Sequence, residues 1–202
     1  MKVIKILYEK NIKIILEDGS SIDTDYDSIL EHKIVEGMDI DNLLISQLSD
    51  EMSKKQCLNY AMSYLTKYSK SRKHLINKLY EKEYKKNAID YAIEKLEEYG
   101  YIDDYKYATN IVNSNIKKLG KHRLKSLLYE KGIPSDIIQD VLEEIDKDDM
   151  FSTCVSLVKK WLGSHDFESN KDREKLFRFM TYRGFDYDMI KNALWEIENN
   201  DN

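Results

Sequence analysis

Proline is nearly missing from this chain. Pro134 is the only one in 202 residues, and there are seven glycines. So few residues that interrupt regular backbone favour helices over most of the length. Cysteine is scarce too. Cys57 and Cys154 sit in helical patterns without metal-type partners, and read as packed apolar thiols rather than a disulfide framework. No apolar run approaches the roughly 20 residues that a membrane helix needs. Met1 to Glu9 hold a short apolar stretch, without the longer core and small-residue cleavage site of a secretory signal. A cytoplasmic protein with no membrane contact is expected.

Catalytic signatures are missing as well. His32, His74, His122 and His165 stand in no H-E-x-x-H or C-x-x-C context, and there is no glycine-rich phosphate loop and no G-x-S-x-G elbow. A non-enzyme without cofactor or metal is expected. Asp103-Asp104 is a carboxylate pair that could serve acid–base or metal chemistry. A helix cap at a repeat junction is the favoured reading, because Asp148-Asp149 recurs at the next junction and catalytic pairs need not repeat. Tyr60, Tyr64, Tyr99, Tyr101, Tyr105 and Tyr107 could stack on bases, but at helical spacing among apolar neighbours they read as core.

What is present is charge, unevenly spread. Residues 1–52 carry 5 basic and 12 acidic side chains, residues 53–132 carry 18 and 9, and residues 133–202 carry 9 and 16. The overall −5 therefore hides a middle of +9 between two ends of −7 each. The middle is the candidate for contact with a polyanion or an acidic protein; the competing reading is a solvated lysine-rich helical face.

The first segment looks like strands. Lys2 to Tyr8 and Lys13 to Leu16 are rich in β-branched and apolar residues, Lys10-Asn11 lies between them, and Asp18-Gly19-Ser20 forms a turn. A hairpin or three-stranded piece over residues 1–24 is expected. Helical pattern starts near Tyr26, Gly37 breaks it, and Asp39 is the expected cap of a short helix containing Leu43, Leu44 and Leu48.

From about residue 53 the chain repeats. Ile89, Ala92, Ile93 and Leu96 share the i, i+3, i+4, i+7 spacing that lines one helical face. The pattern returns 49 residues on as Ile138, Val141, Leu142 and Ile145, and 52 further as Ile190, Ala193, Leu194 and Ile197. The preceding helix repeats too: Leu75/Leu79, Leu124/Leu128, Leu176/Met180. So does an opening helix: Ala61/Tyr64/Leu65, Ala108/Ile111/Val112, Cys154/Leu157/Val158. Gly132 and Gly184 mark equivalent turns that need a left-handed residue, and Gly100 ends a helix the same way. Glu83 stands at the first of these turns, which must differ or carry strain. A mainly α fold is expected: a tandem array of three three-helix repeats forming an elongated curved body. The expected domains are a small N-terminal α/β segment at 1–52 and repeats at 53–104, 105–149 and 150–202.

Positive charge recurs at the start of each repeat's second helix. Lys70, Arg72 and Lys73 stand there in the first repeat, Lys117, Lys118, Lys121, Arg123 and Lys125 in the second, and Lys171, Arg173 and Lys175 in the third. Helix N-termini also aim N–H groups outward, which favours anions. Lysine solvation is the competing explanation. The residues expected to form a partner or DNA surface are Lys70, Arg72, Lys73, Lys121, Arg123 and Lys125.

Three stretches resemble the RecX regulatory family. They are Tyr60-Ala61-Met62-Ser63-Tyr64-Leu65 with Tyr68 to Arg72, then Leu96 to Asp104 with Tyr107-Ala108, then Lys118 to Leu124 followed by Leu128 to Ile133. The resemblance covers roughly residues 57–200; the third repeat diverges, with Gly163 to Asp172 longer, and residues 1–52 match weakly. It implies a cofactor-free, cytoplasmic regulator of DNA repair, recombination and the SOS response, all-helical over the repeats. Such a protein binds RecA and RecA–DNA filaments and limits strand exchange, ATP hydrolysis and co-protease activity. The repeats would lie along the filament groove, the basic face meeting DNA phosphates or acidic RecA surface, the chain a monomer with weak direct DNA binding allowed. Two readings compete: a stand-alone DNA-binding helical protein, against which stand the acidic ends and the lack of a recognition helix rich in Arg, Asn and Gln, and an interaction scaffold unrelated to recombination.

Overall fold

The computed structural model describes residues 1–8, 11–165, 167 and 169–200. Lys10 of the expected first turn, and Asp166 and Glu168 of the longer third-repeat stretch, lie outside the described residues. The chain divides into two compact units, residues 1–69 with 75–102, and residues 70–74 with 103–202.

The first unit opens with an antiparallel sheet of β1 (Val3–Tyr8), β2 (Ile12–Leu16) and β3 (Ser21–Thr24), in that order. Alternation decides its inner face: Ile12, Ile14 and Leu16 point inward, with Ile6 opposite Ile14 and Ile22 beyond it. Ile29, Ile34, Ile40 and Leu48 close this small core. Helix α1 (Tyr26–Glu31) is capped by Asp25, whose carboxylate accepts the Ser28 N–H. Asp25 also pairs with Lys55. Partial burial pushes its carboxyl up, but the hydrogen bonds from Lys55 and Ser28 together outweigh that and hold it below its usual value.

The helix expected after Asp39 is different. Asp39 sits in an isolated bridge with Lys2, and Asp41 is the cap, accepting the Leu44 N–H at 2.8 Å. Nor is the helix short: α2 (Asn42–Lys67) runs for 26 residues and continues into the opening helix of the first repeat. α3 (Arg72–Glu81) and α4 (Lys86–Glu98) complete that repeat. Leu75, Leu79, Ile89, Ile93 and Leu96 bury themselves with Cys57 and Ala61 of α2. Burial raises the Cys57 thiol to about 11.

The second unit holds α5 (Asp104–Asn115), α6 (Lys121–Glu130), α7 (Ser135–Glu143), α8 (Lys147–Leu162), α9 (Asn170–Tyr182) and α10 (Tyr187–Asn200). One core runs through both three-helix groups, with Leu124, Leu128 and Ile138 from one and Leu176, Met180 and Ile190 from the other. All twelve residues of the repeated pattern are buried. Cys154 lies among them, its thiol pushed by burial to about 12.

The turns repeat in conformation. Gly132 has φ +79°, Gly184 +89° and Glu83 +62°, so the first repeat makes the same left-handed turn with a side chain that strains it. Asp103 caps α5, accepting the Lys106 N–H at 2.8 Å. At the next junction the cap is Asp146, which accepts from Asp148 and Asp149; that pair occupies the first helical turn instead. Tyr60, Tyr64 and Tyr107 are half-buried, as expected of core residues, but Tyr99, Tyr101 and Tyr105 are exposed. The first two of these stand either side of the turn at Gly100, off any helical face.

Candidate partner-binding surface

Basic residues recur at the start of the second helix in each repeat, and within the second unit that place has a structural use. Ser71, fully buried, accepts the His74 N–H at 3.3 Å, capping α3, and donates its hydroxyl to the Lys131 carbonyl at 2.5 Å. One repeat later the Gly120 N–H donates to the Arg183 carbonyl at 2.9 Å, and the His122 N–H to the Gly184 carbonyl at 3.2 Å. In both places a second helix starts on the carbonyls of a left-handed turn. Cations suit this position, because a helix C-terminus carries partial negative charge.

The expectation of outward-facing helix amides is corrected by the same contacts. The Arg72 N–H goes to Asp104, the His74 N–H to Ser71, and the His122 N–H to Gly184. These three amides are filled by protein acceptors and offer nothing to an anion.

The six expected residues divide into groups. Lys70 (half-buried), Arg72 and Lys73 (exposed) lie by the turn after α6, where a Cβ on Gly132 would come within 3.2 Å of Lys73. Lys121 and Lys125 are brought together beside Tyr129 and Glu143, along a groove of about 320 Å³ between α6 and α7. Lys121 also donates to the Ile145 carbonyl at 3.3 Å. Arg123 turns along α6 to Glu130 at 3.3 Å. The first group thus lies past the end of α6 and Lys121 at its start, while the Arg123 side chain reaches along the helix towards the first group.

The family models decide what kind of chain this is. The first, second and third three-helix domains of RecX match residues 57–96, 103–142 and 148–194, in order. The chain belongs to the RecX family.

Relatives match over about three quarters of the chain or more. Regulatory protein RecX of Clostridium perfringens (strain 13 / Type A) is 30% identical over 193 residues, covering 94% of this chain and 91% of its own. That of Clostridioides difficile (strain 630) is 36% identical over 160 residues, covering 76% and 73%. Among solved structures, a crystal structure of regulatory protein RecX superposes with TM-score 0.78 at 19% identity, covering 96% of this chain and 98% of its own. RecX from Lactobacillus salivarius gives 0.68 at 24%, covering 73% and 98%. This RecX chain is thus a regulator of that type, mostly helical, with three three-helix domains in tandem and a small N-terminal sheet. Among the described residues no helix is long and apolar enough to cross a membrane.

This RecX chain also has a cavity lined by basic residues beyond the six expected ones. Lys117 and Lys118 do not join Lys121 and Lys125. They face Lys160 and Arg183 across a cavity of about 640 Å³. Lys117 and Lys118 belong in sequence to the basic run before α6; that they face Lys160 and Arg183 is not legible there.

Proposed function

We propose that this RecX-type regulator binds RecA protein and RecA–DNA filaments, in the cytoplasm and as a non-catalytic monomer, and restrains RecA's recombinase, ATPase and co-protease activities. The observation that carries the reading is the ordered match of all three RecX three-helix domains. The basic surface of the second unit supports a partner that contains nucleic acid. On this reading Lys70, Arg72, Lys73, Lys121, Arg123 and Lys125 contribute attraction through their side chains, in two groups.

A stand-alone DNA-binding protein is the weaker reading. A helix-turn-helix reader sends the start of its recognition helix into the major groove. In a three-helix unit that is the third helix, and the third helices of the second unit start acidic, with Asp136 in α7 and Asp188 in α10.

Binding to bare single-stranded DNA and to the same strand coated with RecA separates the readings. The proposal requires clearly tighter binding to the coated strand. Equal affinity for both would favour the DNA-binding reading, and no binding to RecA in any form would contradict the proposal.

A further inference from the structure

The cavity beside Lys117 and Lys118 differs in chemistry from the surface expected from sequence. Four cations line it, Lys117, Lys118, Lys160 and Arg183, and no carboxylate is among its described lining residues. Arg183 is held in place there. Its guanidinium lies 4.5 Å over the Phe179 ring and donates to the Lys118 carbonyl at 3.1 Å.

Part of that positive charge answers the carbonyl ends of α5 and α8, which finish nearby at Asn115 and Leu162. Two helix ends supply about half a negative charge each, well short of four full positive charges. Among the described lining residues the cations therefore outnumber what the two helix ends offset.

The same cavity has a flat wall. His165 stacks on Trp161 with centroids 4.2 Å apart and planes 3° from parallel, and its Nδ1 lies 2.9 Å from the Trp161 carbonyl. Trp161 is buried beneath it while His165 is exposed. The imidazole is thus a positioned ring with one face covered, at the edge of this cavity and of a neighbouring one lined also by Asp172 and Lys175.

We propose that this cavity binds a nucleotide, its phosphate among Lys117, Lys118, Lys160 and Arg183 and its base stacked on His165. Phosphate attraction and stacking are the two components by which proteins hold a single strand without reading its sequence. The proposal rests on the reading that this chain meets nucleic acid, and it names where. A nucleotide within a strand and a free nucleoside triphosphate share this chemistry.

The test is fluorescence anisotropy of a labelled oligothymidylate with the full-length protein across a salt series, without RecA. The variant Lys117→Ala/Lys118→Ala/Lys160→Ala is expected to weaken binding at least about tenfold and to lower the salt slope by about 2, since each single-strand phosphate contact contributes about 0.7. His165→Ala is expected to weaken binding and His165→Phe to retain it. Competition by Mg-ATP as effective as that by unlabelled strand assigns the site to free nucleotide; poor competition assigns it to the strand. Inorganic phosphate competing as well as either would remove the stacked base and overturn the proposal. So would equal affinity and slope for wild type and triple variant. Replacing the same lysines with Gln, with circular dichroism melts of both variants, separates lost binding from lost fold. Strand binding at the cavity by a protein that leaves RecA unaffected would contradict the functional reading alone; RecA inhibition with cavity variants binding oligonucleotide as wild type does would contradict the cavity alone.

Discussion

The amide of Gly120 donates to the carbonyl of Arg183 at 2.9 Å, and a Cβ added to Gly120 would stand 2.2 Å from the Gly184 oxygen. Gly184 is equally confined: its own added Cβ would meet the Arg123 nitrogen at 2.2 Å, and its φ is +89°. Two glycines therefore let the start of α6 close on the turn after α9. Gly184→Ala combines a steric clash with a left-handed conformation and is expected to cost about 3 kcal/mol. Gly120→Ala, without the φ penalty, is expected to cost less. Urea unfolding measures both; unchanged midpoints would mean that this junction does not exist.

Glu83 supplies the opposite case. It holds φ +62° at the turn where the later repeats use glycine. Glu83→Gly is expected to stabilise the chain by roughly 0.5–1 kcal/mol, the left-handed penalty relieved less glycine's entropy cost. A lower melting temperature would contradict the equivalence of the three turns.

Leu128 is fully buried on α6, at the position of Leu79 and Met180. Leu128→Ala is expected to destabilise by roughly 2–5 kcal/mol, the usual range for a large-to-small core change. A denaturation midpoint close to wild type would place Leu128 on the surface.

The repeats could be read from Ile89, Ile138 and Ile190 because burial of one helical face imposes its period on the sequence. The joining of the N-terminal segment to the first repeat could not. Asp50, Glu51, Lys54 and Lys55 give α2 a polar middle that resembles a break, and part of what holds it is the pairing of Lys55 with Asp25, far away in sequence. The basic positions show the same limit. Their recurrence is visible, but whether a lysine faces a groove, a turn or a cavity depends on what the next repeat places opposite. That is why Lys118 and Lys121, three residues apart, line different cavities.

Arg72 and Arg123 test the surface expected from sequence. Arg72→Ala/Arg123→Ala is expected to weaken filament binding and to lower its salt slope by about 1.4, at about 0.7 per lost single-strand phosphate contact. Among the described residues the Arg123 side chain, 42% accessible, pairs with Glu130, and alanine keeps its Cβ beside Gly184; circular dichroism of the double variant checks that helical content persists. Unchanged affinity and slope, with circular dichroism intact, would remove these arginines from the interface.

The most direct measurement is RecA ATP hydrolysis on single-stranded DNA while this protein is titrated in. Hydrolysis is expected to fall with added protein and to saturate at a low level. Hydrolysis that stays constant through a molar excess, with the protein shown to be folded, would contradict the proposed restraint of RecA.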